Sequence, residues 1–282
     1  MDWAEISGPL LVIFRETFEI ALILGVVLAA TKGIAGRKFY IWSGIGLGVL
    51  GSAIIAFFAD VITESASGTG QELMNAIILL LASGMIVWTV VWMKTHAREM
   101  SQKIKQVGNN IREGHTSQFA LTAIVALAIF REGSEMVLFS FGFFASGMTM
   151  APFITGCIIG AIGGTVLGIM LYLGLIQISP KHFFTVTSAM LTLLAAGMTS
   201  IAAKYLAQGG YVSELGGPYW DTGHILSEES ILGETLKVLV GYSSSPMGIQ
   251  LVFYIATVLL VVGLLKLVSK PIVPNKAVTQ AS

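Results

Sequence analysis

Apolar positions along the chain fall into seven long runs, at 7–31, 40–62, 73–93, 119–145, 152–176, 183–206 and 247–268. A helix needs about 20 predominantly apolar residues to cross the ~30 Å hydrocarbon layer of a bilayer, and a barrel strand only about 10. Runs of this length therefore predict helices, the one open-chain structure that satisfies its own backbone polar groups in lipid. The expected fold is an all-α polytopic membrane protein with seven transmembrane helices. Between the third and fourth runs, Met100, Ile104, Val107 and Ile111 recur at helical spacing among basic and amide residues. This pattern predicts an amphipathic helix within 94–118, lying on the cytoplasmic membrane surface. The stretch 207–246 opens with glycine-rich turns, at Gly209-Gly210 and Gly216-Gly217-Pro218, and then turns acidic. After Pro274 a short polar tail is expected to be disordered.

Composition sharpens this picture. Of 282 residues, 55% are hydrophobic and 11% charged, against about 25% charged in an average soluble domain. An ordinary soluble enzyme, a nucleic-acid binder with a basic footprint and a disordered chain are all excluded on that ground. The single cysteine, Cys157, sits inside an apolar run. No internal disulfide or cysteine cluster is expected, so metal chemistry here would use oxygen, His or Met ligands. The opening residues Met1-Asp2-Trp3-Ala4-Glu5 lack the basic region of a cleaved signal peptide and read as mature sequence. Twelve of the sixteen Lys and Arg residues fall in segments that share one side if the spans alternate; only Lys204 and Lys237 fall on the other, and Arg15 and Arg131 lie within spans. Basic residues mark the cytoplasmic side. The expected topology is a multi-pass protein of the plasma membrane with its N-terminus outside, its C-terminus in the cytoplasm and an acidic outer face that concentrates cations.

Two charged clusters interrupt the apolar runs. Arg15-Glu16-Thr17-Phe18-Glu19 lies in the first and Arg131-Glu132-Gly133-Ser134-Glu135 in the fourth, sharing the pattern Arg-Glu-x-x-Glu 116 residues apart. The same offset maps the second span onto the fifth and the third roughly onto the sixth. The chain thus reads as one membrane domain with two three-helix repeats, 7–93 and 119–206. The linker 94–118, the extracytoplasmic loop 207–246, the seventh span 247–268 and the tail 269–282 complete it. Three spans per unit invert the second copy, which predicts an inverted 3+3 repeat with a site near the midplane. Each charge near a helix centre opposes insertion by about 2.5–3.5 kcal/mol, so six cost very roughly 15–20 kcal/mol before pairing, and they cannot face lipid. At 100° per residue each cluster makes one polar face, with an Arg to Glu pair at i, i+4. Four carboxylates against two guanidiniums leave a surplus of two negative charges. A network of structural Arg–Glu pairs is the plain reading; a hard cation such as iron, manganese, magnesium or calcium accounts better for two matched surpluses.

With its doubled Arg-Glu-x-x-Glu on spans one and four of seven, the chain resembles the high-affinity iron permeases, which include the fungal ferric permeases and the bacterial permease of the elemental ferrous iron uptake system. The resemblance covers nearly the whole chain. A looser match lies in Trp220-Asp221-Thr222, Leu226-Ser227-Glu228 and Gly241-Tyr242. It implies a permease rather than an enzyme, importing iron as Fe2+ or Fe3+. Glu16, Glu19, Glu132 and Glu135 would be the iron ligands, with Arg15 and Arg131 positioning the carboxylates and balancing charge. It also implies an extracytoplasmic iron oxidase or iron-delivery protein as partner. The family usually has glycine third in the motif, as at Gly133; Thr17 departs from this, and would either crowd the helix crossing or add a hydroxyl ligand.

Other features have plainer readings. Gly46-Leu47-Gly48-Val49-Leu50-Gly51 matches a dinucleotide-binding pattern but lies inside a span, so with Gly44, Gly156, Gly160, Gly164 and Gly168 it predicts close helix packing. Met148 and Met150, which could meet a soft metal, read as packing residues, and Trp88 and Trp92 as interfacial anchors. Asp221, His224, Glu228 and Glu229 would either capture metal before entry or simply be solvated. No bound organic cofactor and no nucleic acid are expected; the partners are the iron ion and the lipid bilayer. The alternatives are a permease for another divalent metal, such as manganese or lead, and an intramembrane lipid phosphatase, for which two intramembrane arginines are too few.

Overall fold

A computed structural model describes residues 3–65, 70–113, 115, 117–175, 180–228 and 230–268. The polar tail and Glu229 lie outside the described residues. Eight α-helices follow one another among the described residues: α1 (Trp3–Ala30), α2 (Arg37–Ser65), α3 (Gln71–Arg112), α4 (Phe119–Ala145), α5 (Met150–Tyr172), α6 (Pro180–Gln208), α7 (Ile231–Val240) and α8 (Gly248–Val268).

Five helical stretches are long and apolar enough to cross a membrane: Arg37–Val61, Gln71–Lys94, Met150–Tyr172, Phe184–Gln208 and Gly248–Val268. Helices α1 and α4 are as long, at 28 and 27 residues, but each carries three charges near its middle. The outward faces of α2, α5 and α8 are strongly apolar: Leu50, Phe57 and Phe58 on α2, Ile158 and Ile162 on α5, and Leu259 on α8 are all exposed. On helices long enough to span a bilayer such a belt fits contact with lipid, and the chain is a membrane protein.

Small residues decide which helices meet. A Cβ on Gly156 would lie 2.7 Å from the Ile6 carbonyl oxygen, one on Gly160 2.7 Å from that of Leu10, and one on Gly164 2.5 Å from that of Phe14; Gly168 abuts Ala21. Both sequences advance together along this contact, so α1 and α5 run parallel, backbone against backbone. The other pair behaves alike. Gly44 faces Thr122 and Val125, Gly48 faces Ala126 and Ile129, and Gly51 faces Phe130, so α2 and α4 are also parallel. Residues 31–36 turn α1 back into α2 through Gly33 and Gly36, both at positive φ (93° and 75°) where a side chain would be strained. Arg37 closes that turn by donating from Nη1 to the Leu28 carbonyl at 3.0 Å. Helix α1 is therefore antiparallel to α2 and, through it, to α4.

Helix α3 packs against α6, where Ser83 Oγ donates to the Ala195 carbonyl at 3.0 Å. A second hydroxyl contact, Thr199 to Thr257 at 2.9 Å, joins α6 to α8. Leu79, Ile86, Phe139, Phe143, Leu191 and Leu194 fill the core among α3, α4 and α6.

Two features depart from expectation. Helix α3 runs unbroken for 42 residues, so the stretch expected to be a separate surface helix continues the third span. Its apolar stripe is covered by protein rather than lipid: Ile104 and Ile111 are buried in one cluster with Val27, Ile41, Leu121 and Val125, and Val107 packs on it. Within the 207–246 loop stands α7, a ten-residue helix. Ser230 caps its start by accepting from the Gly233 N–H at 3.1 Å, and Gly241 ends it in the left-handed conformation (φ 74°). A Cβ on Gly241 would run into Gly197 of α6, so only glycine lets this connection lie so close to the bundle.

Candidate metal centre

The α1–α4 crossing brings the two charged clusters together. Glu16, Glu19, Glu132 and Glu135 are all buried, none more than 3% exposed, and Arg15 is 1% exposed. On α1, Arg15 reaches both motif glutamates, with Nη1 2.9 Å from Glu16 Oε1 and Nη2 2.8 Å from Glu19 Oε1. On α4, Arg131 Nε donates to Glu135 Oε1 at 3.1 Å and lies 3.8 Å from Glu132 Oε1. The i, i+4 pairing read from the sequence thus forms in both copies.

Glu16, Glu19 and Glu132 each offer a carboxylate oxygen to a common point, the three atoms lying within 4.8 Å of one another. Glu16 Oε2 and Glu132 Oε2 are buried and receive no N–H or hydroxyl donor, the two carboxyl groups standing within hydrogen-bonding reach of each other, and Glu19 Oε1 has only its ion pair with Arg15 at 2.8 Å. Buried acceptors without a donor are costly. A hard cation removes that cost: at metal–oxygen distances of about 2.0–2.6 Å, oxygens on opposite sides of the ion stand roughly 4–5 Å apart. Oxygen-only donors suit iron, manganese, magnesium or calcium and exclude a soft-metal site.

Glu135 differs. Its Oε2 accepts from Thr89 Oγ1 on α3 at 2.7 Å, and it stands outside the three-glutamate group. Sequence reasoning missed Thr89, whose signal was one of only two hydroxyls, with Ser83, in a strongly apolar run. It also read Trp92 as an interfacial anchor, whereas the Arg131 guanidinium carbon lies 3.5 Å over its ring centroid. Trp92 belongs to the site because its indole face stabilises a half-buried guanidinium whose Nη1 and Nη2 make no hydrogen bond. Trp88 is exposed on the outside of α3.

Thr17, the departure from the motif, is accommodated by its neighbour. Its Cβ would be 3.0 Å from a Cβ on Gly164, so the missing side chain on α5 makes room for it. In the other copy the roles reverse, with Gly133 against Ser52 of α2. Ser52 Oγ donates to the Gly48 carbonyl at 3.1 Å and the Phe130 carbonyl at 3.3 Å, fixing α2 to α4 beside the motif.

The acidic loop residues are not gathered. Asp221 is exposed and accepts from the Gly223 N–H at 2.9 Å in a local turn, and His224 is exposed. Glu228 is a brace: it accepts from the Ser244 N–H (2.7 Å), Ser244 Oγ (2.9 Å) and Ser243 Oγ (3.3 Å) and pairs with Lys237 at 3.0 Å. Burial alone would push its carboxyl up; the Ser244 N–H, Lys237 and the Ser244 hydroxyl outweigh that and hold it at about 2.

A surplus of buried carboxylates between crossing helices, enclosed in a lipid-facing apolar shell, defines a membrane transporter for a hard cation rather than an enzyme. The chain belongs to the iron permease FTR1 family, whose family model matches residues 7–273. It is 29% identical over 245 residues to the ferrous iron permease EfeU of Escherichia coli O6:H1, covering 84% of this chain and 87% of that protein. To the ferrous iron permease EfeU of Yersinia pestis it is 27% identical over 241 residues, covering 84% and 85%. No solved structure matches.

Proposed function

We propose that this chain imports ferrous iron across the plasma membrane through a midplane site built by Glu16, Glu19, Glu132 and Glu135. The observation that carries this reading is the trio of buried glutamates, drawn from both charged helices, each with a carboxylate oxygen within 4.8 Å of the others. The valence rests on the relatives' names, because carboxylate oxygens discriminate weakly between ferrous and ferric iron. Arg15 and Arg131 orient the glutamates and leave the site about two charges negative, enough to balance a dication.

The architecture is seven spans, the five apolar helices plus α1 and α4, arranged as an inverted 3+3 repeat with α8 as the seventh. The parallel pairing of α1 with α5 and of α2 with α4 supports this, since exchanging first with fourth and second with fifth helices leaves the set of contacts unchanged. The antiparallel relation of α1 and α4 supports inversion. The distribution of basic residues supports an N-terminus outside and a C-terminus in the cytoplasm. Movement of one repeat against the other then exposes the site alternately. The membrane potential favours entry by about 2.3 kcal/mol per charge per 100 mV. Exposed Asp221 and His224 contribute to an acidic outer face that gathers cations, and an extracytoplasmic iron oxidase or delivery protein hands iron to it.

The test is iron uptake into proteoliposomes, with ferrous and ferric forms supplied separately, comparing wild type with E16Q, E19Q, E132Q and E135Q. Well-inserted E16Q, E19Q and E132Q should each lose uptake by tenfold or more, with ferrous iron the active form. Normal transport by all four variants would return the charges to a structural role.

A further inference from the structure

The two half-sites differ in a way the repeat does not predict. Glu19 and Glu135 occupy equivalent motif positions, yet Glu19 joins the cluster and Glu135 does not. Both Glu135 oxygens are engaged, Oε1 by Arg131 Nε and Oε2 by Thr89 Oγ1. Arg131 in turn has its guanidinium carbon 3.5 Å over the Trp92 ring, its Nη1 and Nη2 making no hydrogen bond and its Nε serving both motif glutamates, at 3.1 Å from Glu135 and 3.8 Å from Glu132, where Arg15 spends Nη1 and Nη2 on its two. Thr89 and Trp92 stand three residues apart on α3, so their side chains leave the helix within about 60° of each other. One face of one helix grips both members of the Glu135–Arg131 pair.

We propose that α3 holds Glu135 in reserve: Thr89, with Trp92 fixing the Arg131 partner, keeps Glu135 off the three-glutamate cluster, and an arriving metal ion draws Glu135 from the Thr89 hydroxyl to itself. This inference rests on the iron-site reading above and deepens it. Glu135 is the exchangeable fourth ligand, and Thr89 is a positioning residue. The exchange is chemically simple, because the oxygen that gives up the hydroxyl donor becomes a metal ligand, while the indole face and Glu132 continue to stabilise the guanidinium. Helix α3 packs on α6 as well as α4, so release of its hold on Glu135 frees the α3–α6 pair to shift when the site fills. The hydroxyl competes with the metal, and a hydrogen bond to a charged group is strong enough to lower apparent metal affinity by about tenfold or more.

The measurement is anaerobic equilibrium binding of Fe2+ to the full-length protein in lipid nanodiscs. T89V should bind about tenfold more tightly than wild type, and T89S, which keeps the hydroxyl, within twofold of it. Adding T89V to E135Q should change nothing further, since the competing ligand is gone. A merely structural Thr89 would instead give weaker binding in T89V regardless of residue 135. If T89V does not fold, T89A removes the hydroxyl without bulk and carries the same expectation. Unchanged or weaker binding in these variants, with wild type binding iron and E16Q not, overturns the reserve role alone. If wild type binds no iron, or E16Q binds it normally, the iron-site reading falls and the reserve role with it.

Discussion

Alanine at Gly164 tests whether the α1–α5 backbone contact sets the geometry of the site. The added Cβ would stand 2.5 Å from the Phe14 carbonyl oxygen and 3.0 Å from both the Phe18 nitrogen and Thr17 Cβ, where ordinary contact begins at 3.4 Å. The shortfall against the oxygen is about 0.9 Å, and because the opposing atoms are mostly backbone no rotamer change relieves it. The helices must part, at the roughly 1–3 kcal/mol typical of overpacking. Residues 14–18 are the turn that carries Glu16 and leads into Glu19, so the displacement passes directly to two of the three clustered carboxylates. A misplacement of about 1 Å can cost on the order of 100-fold in rate. G164A should therefore insert normally, melt several degrees lower and lose most iron uptake. Gly46 is the control, having nothing within 4 Å of its own added Cβ; G46A should transport as wild type does. Paired measurements of proteoliposome uptake and thermal unfolding in detergent decide the matter. Wild-type uptake and melting in G164A would show that the close α1–α5 approach is not what positions Glu16 and Glu19.

R15L leaves Glu16 and Glu19 buried without their cation, a loss of about 3–5 kcal/mol for a broken buried pair; it should fail to yield monodisperse protein on size exclusion, while R15K should fold and bind iron more weakly. Glu228 supplies a pH dependence. Its carboxyl is held at about 2, against an ordinary 4.5, so the stability it lends the 219–246 connection is complete above pH 4.5 and lost as pH falls through about 2. The protection of the Ser244 amide against hydrogen exchange, taken relative to its intrinsic rate at each pH, should fall over that window in wild type, whereas E228Q should be less protected throughout and lose that dependence.

The sequence by itself determined the helical membrane fold, the two charged clusters, the i, i+4 pairing within each, and the glycine columns that bring helices close. These are local properties: run length, periodicity and the cost of charge in lipid act within one segment and can be counted along it. It also located the surplus of carboxylates, because six charges in otherwise apolar helices have nowhere to go but the interior. Tertiary structure decided what those faces meet. The stripe of Ile104, Val107 and Ile111 was read as facing the membrane surface, but an apolar stripe looks the same whether lipid or protein covers it, and α3 carries this one onto the ends of its neighbours. Ten residues of α7 were too short and too mixed to register as an element beside runs of twenty. The asymmetry of the site was invisible for the same reason. Equivalent motifs predict equivalent glutamates, but Thr89 and Trp92 sit on a third helix, more than forty residues before Glu135 in the chain, and only the folded packing shows that they meet the Glu135–Arg131 pair while Glu16, Glu19 and Glu132 converge.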